Sequence, residues 1–205
     1  MNDLASKPDT PLDESIHTLT YAGALARALS DAMADNAEVF VMGEDVAAPQ
    51  KAGGGGVFGV TRGLLDMYGP QRVINTPISE SAFLGQAVGA ALRGLRPVVE
   101  IMFCDFLTVC MDPLVNHAAK VRFLSNGQRA MPLVVRTTMG AGDGSGAVHS
   151  QSLHGQLASI AGLRVAVPST PQDAYDVMRA AILSDDPVVI FEHKGLYGQE
   201  GAVRV

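Results

Sequence analysis

Residues 74–106 read INTPISESAFLGQAVGAALRGLRPVVEIMFCDF, which divides into a strand, a helix and a second strand. The first strand ends at a Thr-Pro pair, and a helix is predicted through SESAFLGQAVGAALRG. The strand PVVEIMF follows and is apolar almost throughout. Strands of this kind are buried on both faces, as in a parallel sheet covered by helices. The run therefore predicts one strand–helix–strand unit of such a sheet.

The same alternation continues on both sides of this run. Expected helices occupy 21–36, 61–69, 152–162 and 169–185, and expected strands occupy 39–45, 133–139, 163–168 and 187–193. Thr20 can cap the first helix. A long helical stretch is predicted over 107–127, where Pro113 marks a helix start or a kink. We therefore predict an α/β fold, with a parallel sheet flanked by helices on both faces.

Composition and charge narrow the class of protein. The chain has 205 residues and a formal net charge of −6, which disfavours nucleic acid and anionic membranes as partners. No apolar run approaches the roughly 18 to 20 residues that span a bilayer. Two cysteines, Cys104 and Cys110, are expected to be reduced thiols of a cytoplasmic protein. Residues 1–17 are predicted to form a flexible tail, and residues 18–205 one domain.

Glycines 54, 56 and 59 match a dinucleotide-binding fingerprint in spacing only. That motif requires a strand immediately before it and a helix immediately after it. Here a polar loop precedes the glycines, so a flexible Gly-rich loop is the preferred interpretation. The nucleotide-binding alternative is correspondingly weakened.

Ligands of parallel α/β sheets bind outside the carboxyl ends of the strands. A ligand is therefore expected at one or more of five strand ends, which are Gly43–Asp45, Pro77–Glu80, Phe103–Phe106, Gly140–His149 and Glu192–Lys194.

Several stretches, taken together, are typical of one family. They are MGED (42–45), the run 74–106, PLVVRTTMGAG with AVHSQS (132–142 and 147–152), and GLRVAVPSTPQDA with DDPVVIFEHKGLY (162–174 and 185–197). Over residues 18–205 the sequence resembles the beta chain of the thiamin diphosphate-dependent decarboxylase component of 2-oxo acid dehydrogenase complexes. EIMFCDF and FEHKGLY are also similar to acetoin dehydrogenase beta chains. The C-terminal transketolase-like domain of such beta chains is expected to be absent here.

The resemblance implies that Glu80 is the central catalytic residue. Thiamin becomes a nucleophile when its thiazolium carbon loses a proton to the aminopyrimidine ring of the same cofactor. A carboxyl group hydrogen-bonded to the opposite ring nitrogen drives this change of tautomer, and it needs a largely buried corner between a strand and a helix. Glu80 lies in PISES at such a corner. A first-turn acid favoured by the helix dipole is the plain structural alternative.

The resemblance also implies the other residues of the pyrimidine site. Phe106 is expected to stack on the pyrimidine ring, and Ile78 and Met102 to complete an apolar slot. His149, in AVHSQS, is expected to be catalytic and to face the group derived from the substrate. It could also orient an incoming lipoyl group.

Gly142-Asp143-Gly144 resembles the start of the diphosphate and metal motif of thiamin enzymes. That motif has an Asn about 25 to 30 residues further on as a second metal ligand, and hard Mg²⁺ needs several well-placed oxygens. The last Asn of this chain is Asn126. We therefore expect a partner chain to hold the diphosphate and Mg²⁺.

A structural potassium site of some family members maps onto five residues. They are Leu133, Ala181, Ile182, Ser184 and Asp186. Ser184 stands where the family has an Asp, which removes one charged ligand from the possible K⁺ site.

The resemblance implies a two-chain enzyme that is inactive without its alpha chain. The alpha chain, a lipoyl-bearing acyltransferase core and a second copy in an α2β2 heterotetramer are the expected partners. The reaction would be decarboxylation of a 2-oxo acid, or cleavage of acetoin, followed by acyl transfer to the lipoyl partner. A split transketolase-type enzyme and a non-catalytic assembly module with the same fold remain open as alternatives.

Overall fold

A six-stranded parallel sheet forms the centre of the protein. The computed structural model describes residues 15–47 and 55–205. The strands of this sheet are β2 (Val39–Gly43), β3 (Val73–Asn75), β4 (Arg96–Phe103), β5 (Val134–Met139), β6 (Arg164–Ala166) and β7 (Val188–His193). They lie in the order β3-β2-β4-β5-β7-β6, and every neighbouring pair is parallel. The predicted fold class is confirmed.

Helices cover both faces of the sheet. They are α1 (Tyr21–Asp35), α2 (Leu64–Tyr68), α3 (Glu80–Leu92), α4 (Val121–Leu124), α5 (His154–Ala158) and α6 (Pro171–Leu183). Helices α1 and α6 pack on one face with Val41, whereas α3 and α5 pack on the other with Phe40 and Met42. Successive side chains of a strand point to opposite faces, so a strand buried on both must be apolar throughout.

Two helix starts are capped by threonine side chains, and the cap at Thr20 was predicted from the sequence. The Thr20 hydroxyl accepts a hydrogen bond from the Gly23 amide at the start of α1. At the start of α6, Thr170 and Asp173 form a reciprocal capping box. Both arrangements satisfy amides that have no partner within the helix. No helix in the described parts of the chain is long and apolar enough to cross a membrane.

The helix predicted over 107–127 is wrong as a single element. The structure has a 3-10 helix at Cys104–Thr108, a π-helix at Asp112–Ala118 and then α4. Pro113 lies in the first turn of the π-helix. Proline has no amide hydrogen and is best tolerated in the first turn of a helix, which is where the structure places it. The helix predicted over 152–162 is also too long, because only α5 (His154–Ala158) is helical in this range.

A second, two-stranded sheet joins the two ends of the described chain. Strand β1 (Ile16–Thr20) pairs antiparallel with β8 (Glu200–Arg204). The predicted boundary of the tail at residue 17 therefore falls inside β1, because pairing with a strand almost two hundred residues away orders Ile16 and His17. Residues 1–14 of the predicted tail lie outside the described residues.

Arg136 lies in the middle of the sheet and is buried between two carboxylates. On β5, its guanidinium donates to both oxygens of Glu192 on β7, at 2.9 and 2.6 Å, and to Glu100 on β4. Tyr197 donates its hydroxyl hydrogen to Glu192. Burial alone would lower the pKa of Arg136, but the two carboxylates raise it above its ordinary value. This buried ion network links three adjacent strands.

Candidate functional site

The residues of the candidate site lie at the carboxyl edge of the parallel sheet. Glu44 follows β2, Glu80 begins the helix after β3, and Phe106 follows β4. His149 follows β5, and Lys194 follows β7. The strands before these five residues are consecutive in the sheet order, so their ends form one continuous edge. All five strand ends were predicted from the sequence as ligand positions, but no role was predicted for Glu44 or Lys194.

Glu80 begins α3 and is half-buried. The helix start is held against the segment after β4, because the Ser81 hydroxyl donates to the Val109 carbonyl at 2.6 Å. Cys110 lies on this segment, and its pKa is raised to about 12 by burial and then by the charge of Glu80. Both cysteines are free thiols, as predicted. Packing against a neighbouring element thus orients Glu80 at the strand–helix corner.

Glu44 is a second carboxyl group at this corner. It is 9% exposed, and its Oε1 has no hydrogen-bond partner among the described residues. Burial, followed by the charges of Glu80 and Asp45, raises the pKa of Glu44. A buried carboxyl group without a donor favours its neutral form. Glu44 therefore has a higher pKa than an exposed glutamate, and its place directly after a buried strand was the signal in the sequence.

The raised pKa of Glu44 predicts a pH-dependent effect of Glu44→Gln on stability. The folded state binds the proton more tightly than the unfolded state, so this group favours folding below its ordinary pKa of 4.5. That contribution is lost as pH rises through the folded-state pKa. We expect Glu44→Gln to have the stability of the wild type in acid and to be more stable at higher pH.

Denaturant unfolding of the unliganded chain from about pH 4 to about pH 8 measures this difference. Glu38→Gln, which changes an exposed acid just before β2, is the matched control. A Glu44→Gln difference that does not change with pH would contradict the assignment.

Three rings pack together at the same sheet edge as the acids and form a ring wall. His149 lies edge-to-face against Phe103, with ring centroids 4.7 Å apart, and against Phe106 at 5.3 Å. Its Nδ1 is buried and has no partner among the described residues. Aromatic packing thus fixes the ring of His149 while one ring nitrogen stays available. Phe103 was not predicted as a site residue, because a Phe at the end of a buried strand looks like ordinary core.

The three residues of the predicted apolar slot differ in exposure. Phe106 and Met102 are half-buried at the end of β4, whereas Ile78 is 84% exposed just before α3. An exposed apolar side chain beside the acids is available for contact with another molecule. The stacking role of Phe106, with Ile78 and Met102 beside it, stays a prediction.

The Gly-rich segment after β5 is tied to the end of β7. Lys194 donates to both oxygens of Asp143, at 2.8 and 2.9 Å, and to the carbonyl of His149 at 2.7 Å. Hydrogen bonds from Lys194 and then Ser145 hold the pKa of Asp143 well below its usual range. The carboxylate in Gly142-Asp143-Gly144 is therefore engaged by a lysine of its own chain.

The residues of the predicted potassium site lie near the opposite, amino edge of the sheet. The Ile182 carbonyl accepts a hydrogen bond from Arg96 at 2.8 Å, and the Asp186 carboxylate pairs with Arg122 and Arg164 at 2.7 and 2.6 Å. The carbonyls of Leu133 and Ala181 accept backbone amides, and Ser184 forms a local turn with Asp186. A cavity of about 600 Å³ adjoins this region. Potassium binding stays a prediction, and any ion would have to share these acceptors.

Comparison with known proteins agrees with this architecture. Residues 17–200 match the family described as transketolase, pyrimidine binding domain. The beta subunit of acetoin:2,6-dichlorophenolindophenol oxidoreductase from Bacillus subtilis is 43% identical over 192 residues, covering 90% of this chain and 56% of that protein. The beta subunit of 3-methyl-2-oxobutanoate dehydrogenase from Mycobacterium tuberculosis is 44% identical, covering 99% and 59%. The chain thus spans a little over half the length of these relatives.

A solved structure shows the same fold at lower sequence identity. It is described as a split gene transketolase, inactive beta4 tetramer, and it superposes with a TM-score of 0.67 at 18% identity. The superposition covers 86% of this chain and 52% of that one. At this identity the likeness concerns the fold alone. Because the family match extends over nearly all of the described residues, the chain belongs to the transketolase pyrimidine-binding domain family.

Proposed function

We propose that this chain is the pyrimidine-binding part of the beta chain of a thiamin diphosphate-dependent 2-oxo acid or acetoin dehydrogenase. One observation carries the proposal. Glu80 stands at a strand–helix corner beside Glu44, whose Oε1 has no partner among the described residues, on the same sheet edge as the ring wall of Phe103, Phe106 and His149. The relatives named above, an acetoin oxidoreductase and a 3-methyl-2-oxobutanoate dehydrogenase, support the choice of substrates.

The residues at this edge fit the pyrimidine end of thiamin diphosphate. Buried polar atoms are normally paired, yet Glu44 Oε1 and His149 Nδ1 have no partner among the described residues. An aminopyrimidine carries the donors and acceptors that such atoms lack. In this proposal Glu80 binds the ring nitrogen, while Phe106, Met102 and Ile78 contact the ring faces. When bound, the cofactor supplies the carbon nucleophile.

Each protein group then has a defined task. Glu80 exchanges a proton at its carboxyl oxygen, and the partly buried corner limits exchange with water. Glu44, whose raised pKa keeps it neutral over a wider pH range, lowers the repulsion that a second negative charge beside Glu80 would cause. His149 has an unpartnered ring nitrogen, and its imidazole can accept or donate a proton during the reaction.

The proposal requires an alpha chain to complete the site. With Asp143 held by Lys194, the Gly-Asp-Gly segment does not offer a free carboxylate to a metal, which supports placing the diphosphate and Mg²⁺ on the partner. The exposed side chain of Ile78 beside Glu80 is consistent with contact to that partner. We further propose an α2β2 assembly, acyl transfer to a lipoyl-bearing core and a cytoplasmic location.

The test is turnover of this chain with and without an alpha chain that carries an intact Gly-Asp-Gly…Asn motif. We expect negligible turnover from the chain alone, and thiamin diphosphate-dependent consumption of pyruvate, a branched 2-oxo acid or acetoin by the co-expressed pair. The three substrates also separate 2-oxo acid dehydrogenases from acetoin dehydrogenases. Substantial activity of the chain alone would contradict the two-chain proposal. Calorimetry that detects no cofactor binding by the pair would contradict it as well.

A further inference from the structure

A buried lysine contacts residues 140–149, the segment that carries His149. The side chain of Lys194 is 4% exposed, and its ammonium contacts the Asp143 carboxylate near the start of the segment and the His149 carbonyl at its end. The Ser145 hydroxyl lies 3.5 Å away as a third acceptor. An ammonium has three donors, and burying it is unfavourable unless they are used. One side chain thus binds both Asp143 and His149 and restrains the chain between them.

The preceding residue, His193, supports the base of the same segment. Gly140 has a φ of 88°, and a Cβ built on it would lie 2.5 Å from Nε2 of His193. The Gly140 amide also donates to the Gln151 carbonyl at 3.0 Å, which closes the segment on itself. The last residue of β7 and the residue after it therefore contact the segment, His193 at its base and Lys194 across its ends.

The same ammonium lies beside the ring wall. Lys194 Nζ is 5.0 Å from the centroid of the Phe103 ring, and that ring packs edge-to-face on His149. A cation on a ring face is attracted by the ring, so this contact adds to the ion pair. Lys194 consequently fixes both the backbone of His149, through its carbonyl, and the ring against which the imidazole packs.

We propose that Lys194 is a positioning residue for His149 and that its ion pair with Asp143 keeps the imidazole in place at the site. Lys194 acts through His149 and the segment 140–149, without contact to the substrate. The proposal rests on the function proposed above as far as turnover is concerned. Its structural part, the restraint of the segment, can be measured on the chain alone.

Hydrogen exchange on the isolated chain tests the restraint directly. We expect Lys194→Met to speed amide exchange in peptides covering 141–150 by about 10-fold or more, because segments without such ties open more often. Peptides from β1 and β8 should not change. Asp143→Asn removes the same ion pair by changing its more exposed partner. It therefore tests the restraint even if Lys194→Met fails to fold. Lys194→Arg keeps the cation and should stay close to the wild type. Unchanged exchange in the first two variants would refute the restraint.

A mutant cycle in the pair with the alpha chain tests the action through His149. With His149 present, we expect Lys194→Met to lower kcat by about 10- to 100-fold while the KM for substrate changes little. In the His149→Ala background the same change should lower kcat by less than about twofold, because coupled residues are not additive. Equal losses in both backgrounds would overturn the proposal. A wild-type pair without turnover would count against the proposed function instead, and the exchange measurement would still decide the restraint.

Discussion

Glu80→Gln in the pair with the alpha chain is expected to lower kcat by about 100- to 10,000-fold, the range typical of a lost acid–base group. Glutamine has nearly the same shape and can still hydrogen-bond, but it cannot exchange a proton at its side-chain oxygen. Glu80 is half-buried at the first turn of α3, beside Glu44. Removing its charge should leave the fold intact. The measurement is thiamin diphosphate-dependent turnover together with the unfolding midpoint.

Asp66→Asn is the matched control for Glu80→Gln. Asp66 is also an acid in the first turn of a helix, α2, but it is exposed. If Glu80 served only the helix dipole, both substitutions would have the same small effect on stability and neither would affect turnover. Near wild-type rates for Glu80→Gln would therefore assign Glu80 to the helix and remove it from catalysis.

Arg136→Met is expected to lower the free energy of unfolding by about 3 to 5 kcal/mol. Arg136 is fully buried and is the cation between Glu100 and Glu192. The substitution leaves two carboxylates in the sheet without a counter-charge, and the cost of their burial is then uncompensated. Such a loss is a large part of the total stability of a domain of this size. Urea unfolding of the chain measures it.

Arg27→Met is the control for Arg136→Met, because it removes a guanidinium from the partly exposed pair of Arg27 with Asp31. We expect this change to cost less than about 1 kcal/mol. Adding Glu192→Gln to Arg136→Met should recover part of the loss, since one buried charge disappears. A loss for Arg136→Met no larger than that for Arg27→Met would show that the buried ion network does not stabilise the fold.

Local patterns predicted most of the elements that the structure contains. The apolar strands, the capped helix after Thr20 and the helix of the opening run all appear close to their expected positions. These elements depend on hydrophobic periodicity and capping, which neighbouring residues determine. The break of the helix expected over 107–127 was harder to foresee. The apolar spacing continues across Pro113, and the pattern alone does not distinguish a kink from three short helices.

The candidate site, too, was predicted from the sequence only in part. Glu80 and His149 could be named from the sequence, because each lies in a short stretch typical of the family and at a strand end. Lys194 and Asp143 are 51 positions apart, and Arg136 and Glu192 are 56 apart. No local pattern encodes such contacts. They exist only because parallel strands distant in the chain become neighbours in the sheet, with their carboxyl ends on one edge.

The sequence by itself determined the fold class, the strand ends that matter and the family to which the chain belongs. Only the tertiary structure decided which charges meet at those ends. Folding buries Glu44 beside Glu80 and thereby raises the pKa of Glu44, and it brings the Lys194 ammonium within hydrogen-bond distance of the His149 carbonyl. Burial and the pairing of charges arise from packing between distant segments, so the chemistry of this edge is a property of the fold.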